Sequence, residues 1–228
     1  MNRYALISTK FPREIVLLQG TGCRWKKCTF CDYHTDISSD PFIINQKTLE
    51  KVTGKYGVLD IINSGSGIEL DKKTIHFIQQ ICKEKQIHTL WFEMHWMYRH
   101  QLQKFANLFA PTKVKFRCGI ETFDSQLRNS WNKGIDSEID AKKVAKYFDG
   151  ICLLICTENG SKQQIENDIR QSESFFEYFS INIFCENNTH VKSDKSLKKW
   201  FLNDLYPTLK NHPKCEILID NGDLGVGK

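Results

Sequence analysis

The sequence lacks a hydrophobic run long enough to cross a membrane. A transmembrane helix needs about 18–20 apolar residues, whereas the longest apolar run here is ICLLIC at 151–156, which suits a buried strand. The opening residues MNRYALISTKFPRE also lack the apolar stretch and small-residue cleavage site of a secretion signal. We therefore expect a cytoplasmic protein that does not associate with a membrane.

Blocks of like charge, internal repeats and low-complexity linkers are absent as well. The 228 residues carry 32 Lys and Arg against 27 Asp and Glu, a formal net charge of +5. This mild excess is compatible with an anionic ligand or RNA, but solubility explains it equally well, and we do not expect a nucleic-acid partner. We predict one domain over 1–228, with a core at about 13–186 and a C-terminal helix and tail at 187–228.

Apolar runs typical of strands alternate with segments that have a helical period. The predicted strands are 14–18, 58–62, 89–94, 114–120, 151–156 and 179–185, with a short last strand at 216–219. Helices are predicted after a cap at Asp71, over 102–109, and at 165–176 and 197–205. This alternation implies a parallel sheet with right-handed crossovers. Six units predict an α/β fold with a partial (β/α)6 barrel and a mostly parallel sheet, whose functional residues lie at the carboxyl ends of the strands.

Nine cysteines are many for a chain in a reducing compartment, and their odd number argues against a disulfide framework. Three of them, Cys23, Cys28 and Cys31, lie in one loop directly after the first predicted strand. Three thiolates this close can hold three irons of a cubane cluster and leave the fourth iron open. The alternatives are ordinary thiols, or a zinc site completed by His34. The other six cysteines are scattered, and we interpret them as core thiols.

The segment GTGCRWKKCTFCDYHTD resembles the cluster-binding loop of the radical S-adenosylmethionine (SAM) superfamily. That loop usually has three residues between its first two cysteines, two between the last two, and an aromatic residue before the third. Here the first gap has four residues, and Phe30 is the aromatic residue. The resemblance implies a radical SAM barrel that binds a [4Fe-4S] cluster through Cys23, Cys28 and Cys31, with SAM as the second cofactor.

The segment NSGSGIEL after the second predicted strand resembles the glycine-rich segment of the same superfamily. That segment is usually Gly-Gly-Glu, and it meets the SAM amino group. Ser64, Gly65 and Ser66 occupy it here, a variant that lacks the acid. Small residues allow close backbone approach, and hydroxyls can accept from an ammonium group. The alternative is a simple strand-to-helix turn.

The segment CGIETFDSQLR after the fourth predicted strand resembles the superfamily's Gly-Ile-Glu-Ser/Thr segment. The resemblance makes Glu121 the candidate for the SAM ribose hydroxyls, with Thr122 beside it, because a carboxylate accepts well from two vicinal hydroxyls. Arg128 and Lys133 are the candidates for the SAM carboxylate. The alternative is a surface glutamate next to the cap of the following helix.

The third predicted strand runs into WFEMHWMYRH, the densest aromatic segment of the chain. Glu93 and His95 face the same side if the strand continues, and an acid beside aromatic rings can bind the N–H groups of a purine-like base. The alternative is an aromatic core with Glu93 paired to Arg99. Glu186 and Asn187, after the sixth strand, are further candidates for substrate binding. No catalytic residue can be named.

Within the superfamily, the short chain, the wider cysteine gap, the Ser-Gly-Ser variant and the aromatic-acidic strand most resemble the queuine lyases of anaerobic bacteria. The resemblance implies reductive cleavage of SAM to a 5′-deoxyadenosyl radical that breaks the C–N bond of queuine, a lyase reaction of queuosine salvage. The implied partners are a small deazapurine substrate and an electron donor such as flavodoxin or ferredoxin. The alternatives are a glycyl-radical activating enzyme and a zinc-stabilised RNA-binding module.

Overall fold

Strands and helices alternate along residues 1–227, which a computed structural model describes. The strands are β1 (Tyr4–Ile7), β2 (Arg13–Leu18), β3 (Val58–Asn63), β4 (Thr89–Met94), β5 (Lys113–Glu121), β6 (Gly150–Ile155), β7 (Tyr178–Ile183) and β8 (Cys215–Leu218). The α-helices are α1 (Phe42–Leu49), α2 (Lys72–Glu84), α3 (Leu102–Ala106), α4 (Ser125–Ser130), α5 (Ala141–Val144), α6 (Lys162–Phe175), α7 (Lys195–Trp200) and α8 (Tyr206–Leu209). Short 3-10 turns lie at Tyr33–Thr35, Gly67–Glu69, Trp96–Gln101 and Asn107–Phe109, and a π-helical turn, Phe201–Leu205, joins α7 to α8.

The strands of residues 1–227 follow the order of the chain, from β1 to β8, in one sheet. β1 pairs with β2 antiparallel. β2, β3 and β4 pair in parallel, and so do β5, β6, β7 and β8. A parallel neighbour requires a crossover that returns the chain to the same edge of the sheet, and this explains the helical segments between successive strands.

The seven predicted strands are all present, and the strand at 89–94 has the predicted bounds. Asp71 caps α2 as predicted, because its side chain accepts a hydrogen bond from the Thr74 main-chain N–H. Four of the strands and α-helices were not predicted: β1, α1, α5 and the four-residue α8. Strand β1 has only four residues and is half-exposed, α1 begins without a side-chain cap, and α5 has only four residues. Such short or uncapped elements leave a weak periodic signal.

The chain divides into two compact units. The first contains Met1–Lys26, Tyr33–Phe116 and residues 221–227, and the second contains Lys27–Asp32 and Arg117–Asp220. The prediction of a single domain stays a prediction. Within residues 1–227 no helix is long and apolar enough to cross a membrane.

Each unit has its own buried strands. In the first unit, Arg13 on β2 and Asp60 on β3 form a buried ion pair at 2.9 Å among apolar strand residues. In the second unit, β6 is buried along its whole length. A strand buried on both faces is typical of a parallel sheet covered by helices.

Candidate active site

The first half of the cysteine loop, up to Lys26, packs closely against the end of β3 in the first unit. The Gly20 main-chain N–H donates to the Ser64 hydroxyl at 3.1 Å, and the Lys26 N–H donates to the sulfur of Cys23 at 3.4 Å. A Cβ atom on Gly65 would lie 3.2 Å from the Cα atom of Cys23. Gly65 therefore lets the main chain after β3 approach the first cysteine of the loop.

The second half of the cysteine loop lies against an apolar cluster of the second unit. Cys28 and Cys31, both half-buried, pack against the buried residues Phe30, Leu127, Trp131, Leu154, Phe184 and Val191. The Phe30 ring meets the Trp131 ring edge-on, with centroids 5.5 Å apart, and the Thr29 N–H donates to the Trp131 carbonyl at 3.0 Å. The predicted aromatic residue is thus buried beside two of the three loop cysteines.

Asn187 and its neighbours after β7 make contacts that sequence reasoning did not predict. The Asn187 side-chain amide donates to the Phe30 carbonyl at 2.8 Å, and Asn188 donates twice to the Asp32 carboxylate, each at 3.2 Å. These bonds flank Cys31 and hold the cysteine loop. The Ser193 main-chain N–H and hydroxyl both donate to the exposed Glu186 carboxylate and lower its pKa. Substrate binding by Asn187 and Glu186 stays a prediction.

The three loop cysteines differ in environment from most of the others. All nine cysteines are present as thiols, and the three in the loop are half-buried. Five others are buried, namely Cys82, Cys118, Cys152, Cys156 and Cys215, as expected for core thiols. Burial raises the pKa of Cys82 and of Cys156 to about 12, so both stay protonated near neutral pH. Within residues 1–227, no three His, Cys, Asp or Glu side chains stand ready to hold a single metal ion.

Glu69, a carboxylate of the first unit that accepts three hydrogen bonds, was missed by the sequence analysis. One oxygen accepts from the Ser66 N–H at 2.8 Å. The other accepts from the Arg24 N–H at 3.0 Å and from the Tyr98 hydroxyl at 2.6 Å. Burial and this carboxylate raise the pKa of Tyr98. The acid that the Ser-Gly-Ser segment lacks thus stands three residues later, where the spacing Ser-x-x-Glu of a capping box could have indicated it.

His95 continues the half-exposed face of β4 that carries Glu93, because burial alternates along this strand. Its main-chain N–H donates to the Ser66 hydroxyl at 3.0 Å. Its ring stacks on that of Trp25, with centroids 5.6 Å apart and planes 21° apart, and its Nδ1 accepts from the Met97 N–H at 3.1 Å. The structure therefore joins one substrate candidate to the glycine-rich segment and to the cysteine loop within the first unit.

At the end of β5, Glu121 and Lys133 form a buried ion pair. Their Oε1 and Nζ atoms are 2.6 Å apart, and each side chain is 10 % exposed. Burial disfavours the charged form of Lys133, but the Glu121 carboxylate outweighs it and raises the pKa of Lys133. The same Nζ lies 5.5 Å from the centroid of the Phe30 ring. Two predicted SAM ligands are thus joined to each other beside the aromatic residue of the cysteine loop.

Thr122 and Arg128, the two other candidates after β5, are fully buried. The Thr122 hydroxyl oxygen accepts from the Asp124 N–H at 3.0 Å and from the Gln164 side chain at 3.1 Å. The Arg128 guanidinium donates to the carbonyls of Thr122 and Asp136 at 2.8 and 3.0 Å. Both side chains therefore stabilise the loop itself, and their contact with SAM stays a prediction.

Comparison with solved structures places this arrangement among known proteins. A queuine lyase from Clostridium spiroforme, solved bound to SAM and queuine, is 39% identical, covers 100% of both chains and superposes with a TM-score of 0.95. A methylornithine synthase is 13% identical over 77% of this chain and 54% of its own, with a TM-score of 0.53, a likeness of fold alone. No family model matches the chain, and a search of the curated proteins finds no significant match. The likeness to the lyase confirms the predicted fold class, an α/β partial radical SAM barrel.

Proposed function

We propose a function from one premise: this chain belongs to the queuine lyase family of radical SAM enzymes. The family resemblance predicted from the motifs is confirmed, and the alternative of a zinc-stabilised RNA-binding module is wrong. We propose that the enzyme breaks the C–N bond of queuine and releases the 7-aminomethyl-7-deazaguanine base. The observation that carries this proposal is the 39% identity over the full length of both chains to a lyase solved with SAM and queuine.

We assign the [4Fe-4S] cluster to Cys23, Cys28 and Cys31. These half-buried thiols are the soft ligands that iron–sulfur clusters require. When bound, the cluster supplies the electron that cleaves SAM to methionine and a 5′-deoxyadenosyl radical. The hydrogen bond from the Lys26 N–H to the Cys23 sulfur is of the kind that tunes a cluster's reduction potential. The apolar residues that pack against Cys28 and Cys31 keep water away from the cluster.

We assign SAM binding to the segments after β3 and β5. Ser64, Gly65 and Ser66 present small side chains that admit close approach of a ligand. Glu121 accepts from the ribose hydroxyls, as in the family pattern. Lys133 and Arg128 are the candidates for the SAM carboxylate; Lys133 pairs with Glu121, and both Nη groups of Arg128 donate to main-chain carbonyls.

We assign recognition of the base to Glu93 and His95. Both lie on the half-exposed face at the end of β4. The stack of His95 on Trp25 provides an aromatic surface next to the Glu93 carboxylate. A carboxylate accepts from the amine and ring N–H groups of a deazaguanine edge. The electron comes from a donor such as flavodoxin or ferredoxin, and we expect the enzyme to act in the cytoplasm.

The direct test is anaerobic turnover of the reconstituted protein with SAM, dithionite and queuine. We expect mass spectrometry to detect 7-aminomethyl-7-deazaguanine and 5′-deoxyadenosine, and neither in the matched sample without SAM. Cleavage of SAM with complete recovery of queuine would contradict the proposed substrate. If SAM cleavage then depended on an added glycyl-radical enzyme, the protein would instead be a glycyl-radical activating enzyme, the remaining alternative.

A further inference from the structure

We propose that Asp168, on helix α6, is a positioning residue that holds the turn after β5 in the conformation in which Glu121 receives SAM. This inference rests on the proposed function, because it concerns the SAM contact assigned to Glu121. Asp168 is separated from Glu121 by more than forty residues of sequence, and it belongs to none of the motifs that resemble the superfamily. Both residues lie in the second compact unit.

Glu121 needs support because its own backbone conformation is unfavourable. Its φ angle is 68°, in the left-handed region that residues with a Cβ atom seldom adopt. The register of β5 against β6 also shifts between Gly119 and Glu121, so Glu121 pairs with Leu153 directly after an irregularity in the ladder. Such conformations cost about 1–3 kcal/mol and persist where the surroundings impose them.

Helix α6 supplies those surroundings at the two residues that follow Glu121. The Asp168 carboxylate accepts from the Phe123 main-chain N–H at 2.8 Å and from the Thr122 hydroxyl. The Gln164 side-chain amide bridges Thr122 and Asp168. At the other end of the helix, the Phe176 ring stacks on that of Phe123, with centroids 6.3 Å apart.

The hydrogen bonds that the Asp168 carboxylate accepts from outside its own helix come from the turn that follows Glu121. Asp168 is 0% exposed, and burial raises its pKa to about 6, so its ionised form is held at a cost in stability. Its hydrogen-bond donors come from the turn after Glu121 and from Gln164 of its own helix. The carboxylate therefore acts on the segment that carries the SAM candidate, and residues that break a local stability rule are typical of functional positions.

The test compares SAM affinity among variants of the reconstituted protein by isothermal titration calorimetry. We expect Asp168→Ala to bind SAM at least tenfold more weakly, because the Phe123 N–H loses its acceptor and the turn loses its support. The SAM dissociation constant of Asp168→Asn should lie within threefold of the wild-type value. The new amide oxygen can still accept from the Phe123 N–H, and the Gln164 side-chain amide can flip so that its oxygen accepts from the new NH2 group. Rescue by the isosteric variant identifies the hydrogen bond as the cause.

The matched control is Ser172→Ala. Ser172 is as buried as Asp168 and lies one turn further along α6, and its hydroxyl donates to the Asp168 main-chain carbonyl. Its loss should lower the melting temperature and leave the SAM dissociation constant unchanged. The inference is overturned by any of three results: Asp168→Ala binds SAM like the wild type, Asp168→Asn binds SAM as weakly as Asp168→Ala, or Ser172→Ala loses as much SAM affinity as Asp168→Ala.

A second variant covers the case in which Asp168→Ala does not fold. Gln164 is partly exposed, so Gln164→Ala removes the bridge to Thr122 at little risk to the core. It should weaken SAM binding at least threefold, and unchanged affinity would overturn the inference. A wild-type protein that does not bind SAM would instead refute the proposed function, so the two failures are distinguishable.

Discussion

The segments after β3 and after β5 are both assigned to SAM, but they are held in different ways. After β3, the Glu69 side chain accepts a hydrogen bond from the Ser66 N–H, only three residues away. This is a capping box, whose Ser-x-x-Glu spacing is visible in the sequence. After β5, Glu121 has a strained φ angle and depends on Lys133 and on helix α6. The first segment is built on a local capping box that the distant donors Arg24 and Tyr98 reinforce. The second segment is held by Lys133 and Asp168, both distant in sequence.

This difference predicts how each segment fails. A local turn supported by several main-chain hydrogen bonds loses a little when one partner is removed. A buried ion pair loses far more, because removing one partner leaves the other charge unpaired in a medium of low polarity. Substitutions near Glu121 should therefore be more damaging than substitutions near Glu69.

The largest expected effect removes the cluster that both segments are proposed to serve. Cys28→Ala should reduce the iron content after anaerobic reconstitution from about four per chain to a small fraction and abolish SAM cleavage. Cys185→Ala is the matched control, since this half-buried thiol lies outside the loop, and it should retain iron. His34→Ala should retain iron too, and iron analysis with the absorbance near 400 nm measures all three. Full iron in Cys28→Ala would disprove the assigned ligands.

The next effect tests the ion pair after β5. Glu121→Ala should lower the free energy of unfolding by about 3–5 kcal/mol, because the buried Lys133 loses its carboxylate partner, and should also weaken SAM binding by about 1.5–3 kcal/mol. The double variant Glu121→Gln with Lys133→Met should recover most of the stability and remain weak toward SAM. Denaturant unfolding and calorimetry separate the two effects. Recovery of SAM affinity in the double variant would place both Glu121 and Lys133 away from SAM.

The pH dependence of stability should reveal the buried carboxyl of Asp168. Its pKa is raised from 3.8 to about 6 by burial, so the folded state holds this proton more tightly than the unfolded state. The stability that this proton provides is present below pH 3.8 and is lost as the pH rises through about 6, a change of about 3 kcal/mol. The charged groups that face it are Asp124 and Arg128.

Asp168→Asn carries no such charge, so it should be more stable than the wild type at pH 7, and this advantage should shrink toward pH 5. Melting temperatures of both proteins across this range provide the measurement. A constant difference between them would mean that Asp168 does not titrate in this window.

A smaller effect is expected in the local network after β3. Tyr98→Phe removes one of three donors to the Glu69 carboxylate and should cost about 1.5–3 kcal/mol of stability while iron is retained. Tyr4→Phe is a matched control, since the Tyr4 hydroxyl donates to Glu14 at 2.7 Å in a region with no assigned ligand. Only Tyr98→Phe should alter SAM affinity, and a loss as large as that of Glu121→Ala would remove the contrast between the two segments.

The smallest effect separates substrate from cofactor. Glu93→Gln keeps the shape of the side chain but turns one acceptor into a donor, which would oppose the N–H groups of the base. Turnover of queuine should fall at least tenfold, or about 1.4 kcal/mol, while slow SAM cleavage without substrate continues. Product analysis by mass spectrometry decides the outcome, and wild-type turnover would move recognition of the base to another residue.

The features that the sequence determined by itself depend on neighbours along the chain. The strand at 89–94, the cap at Asp71 and the cysteine loop all follow from periodicity or spacing within a few residues. The family followed in the same way, from three motifs in the right order, each after a strand. Even Glu69 could have been predicted from the sequence, because its Ser-x-x-Glu spacing from Ser66 is that of a capping box.

Tertiary structure alone decided which side chains support those motifs. Asn187 reaches the carbonyl of Phe30 across 157 positions of sequence, and Asp168 reaches Phe123 across 45. A hydrogen bond from a side chain to a distant main-chain group follows no sequence period, since it depends on how strands and loops are brought together. For this reason neither the contact of Asn187 with the cysteine loop nor the contact of Asp168 with the turn after β5 was predicted.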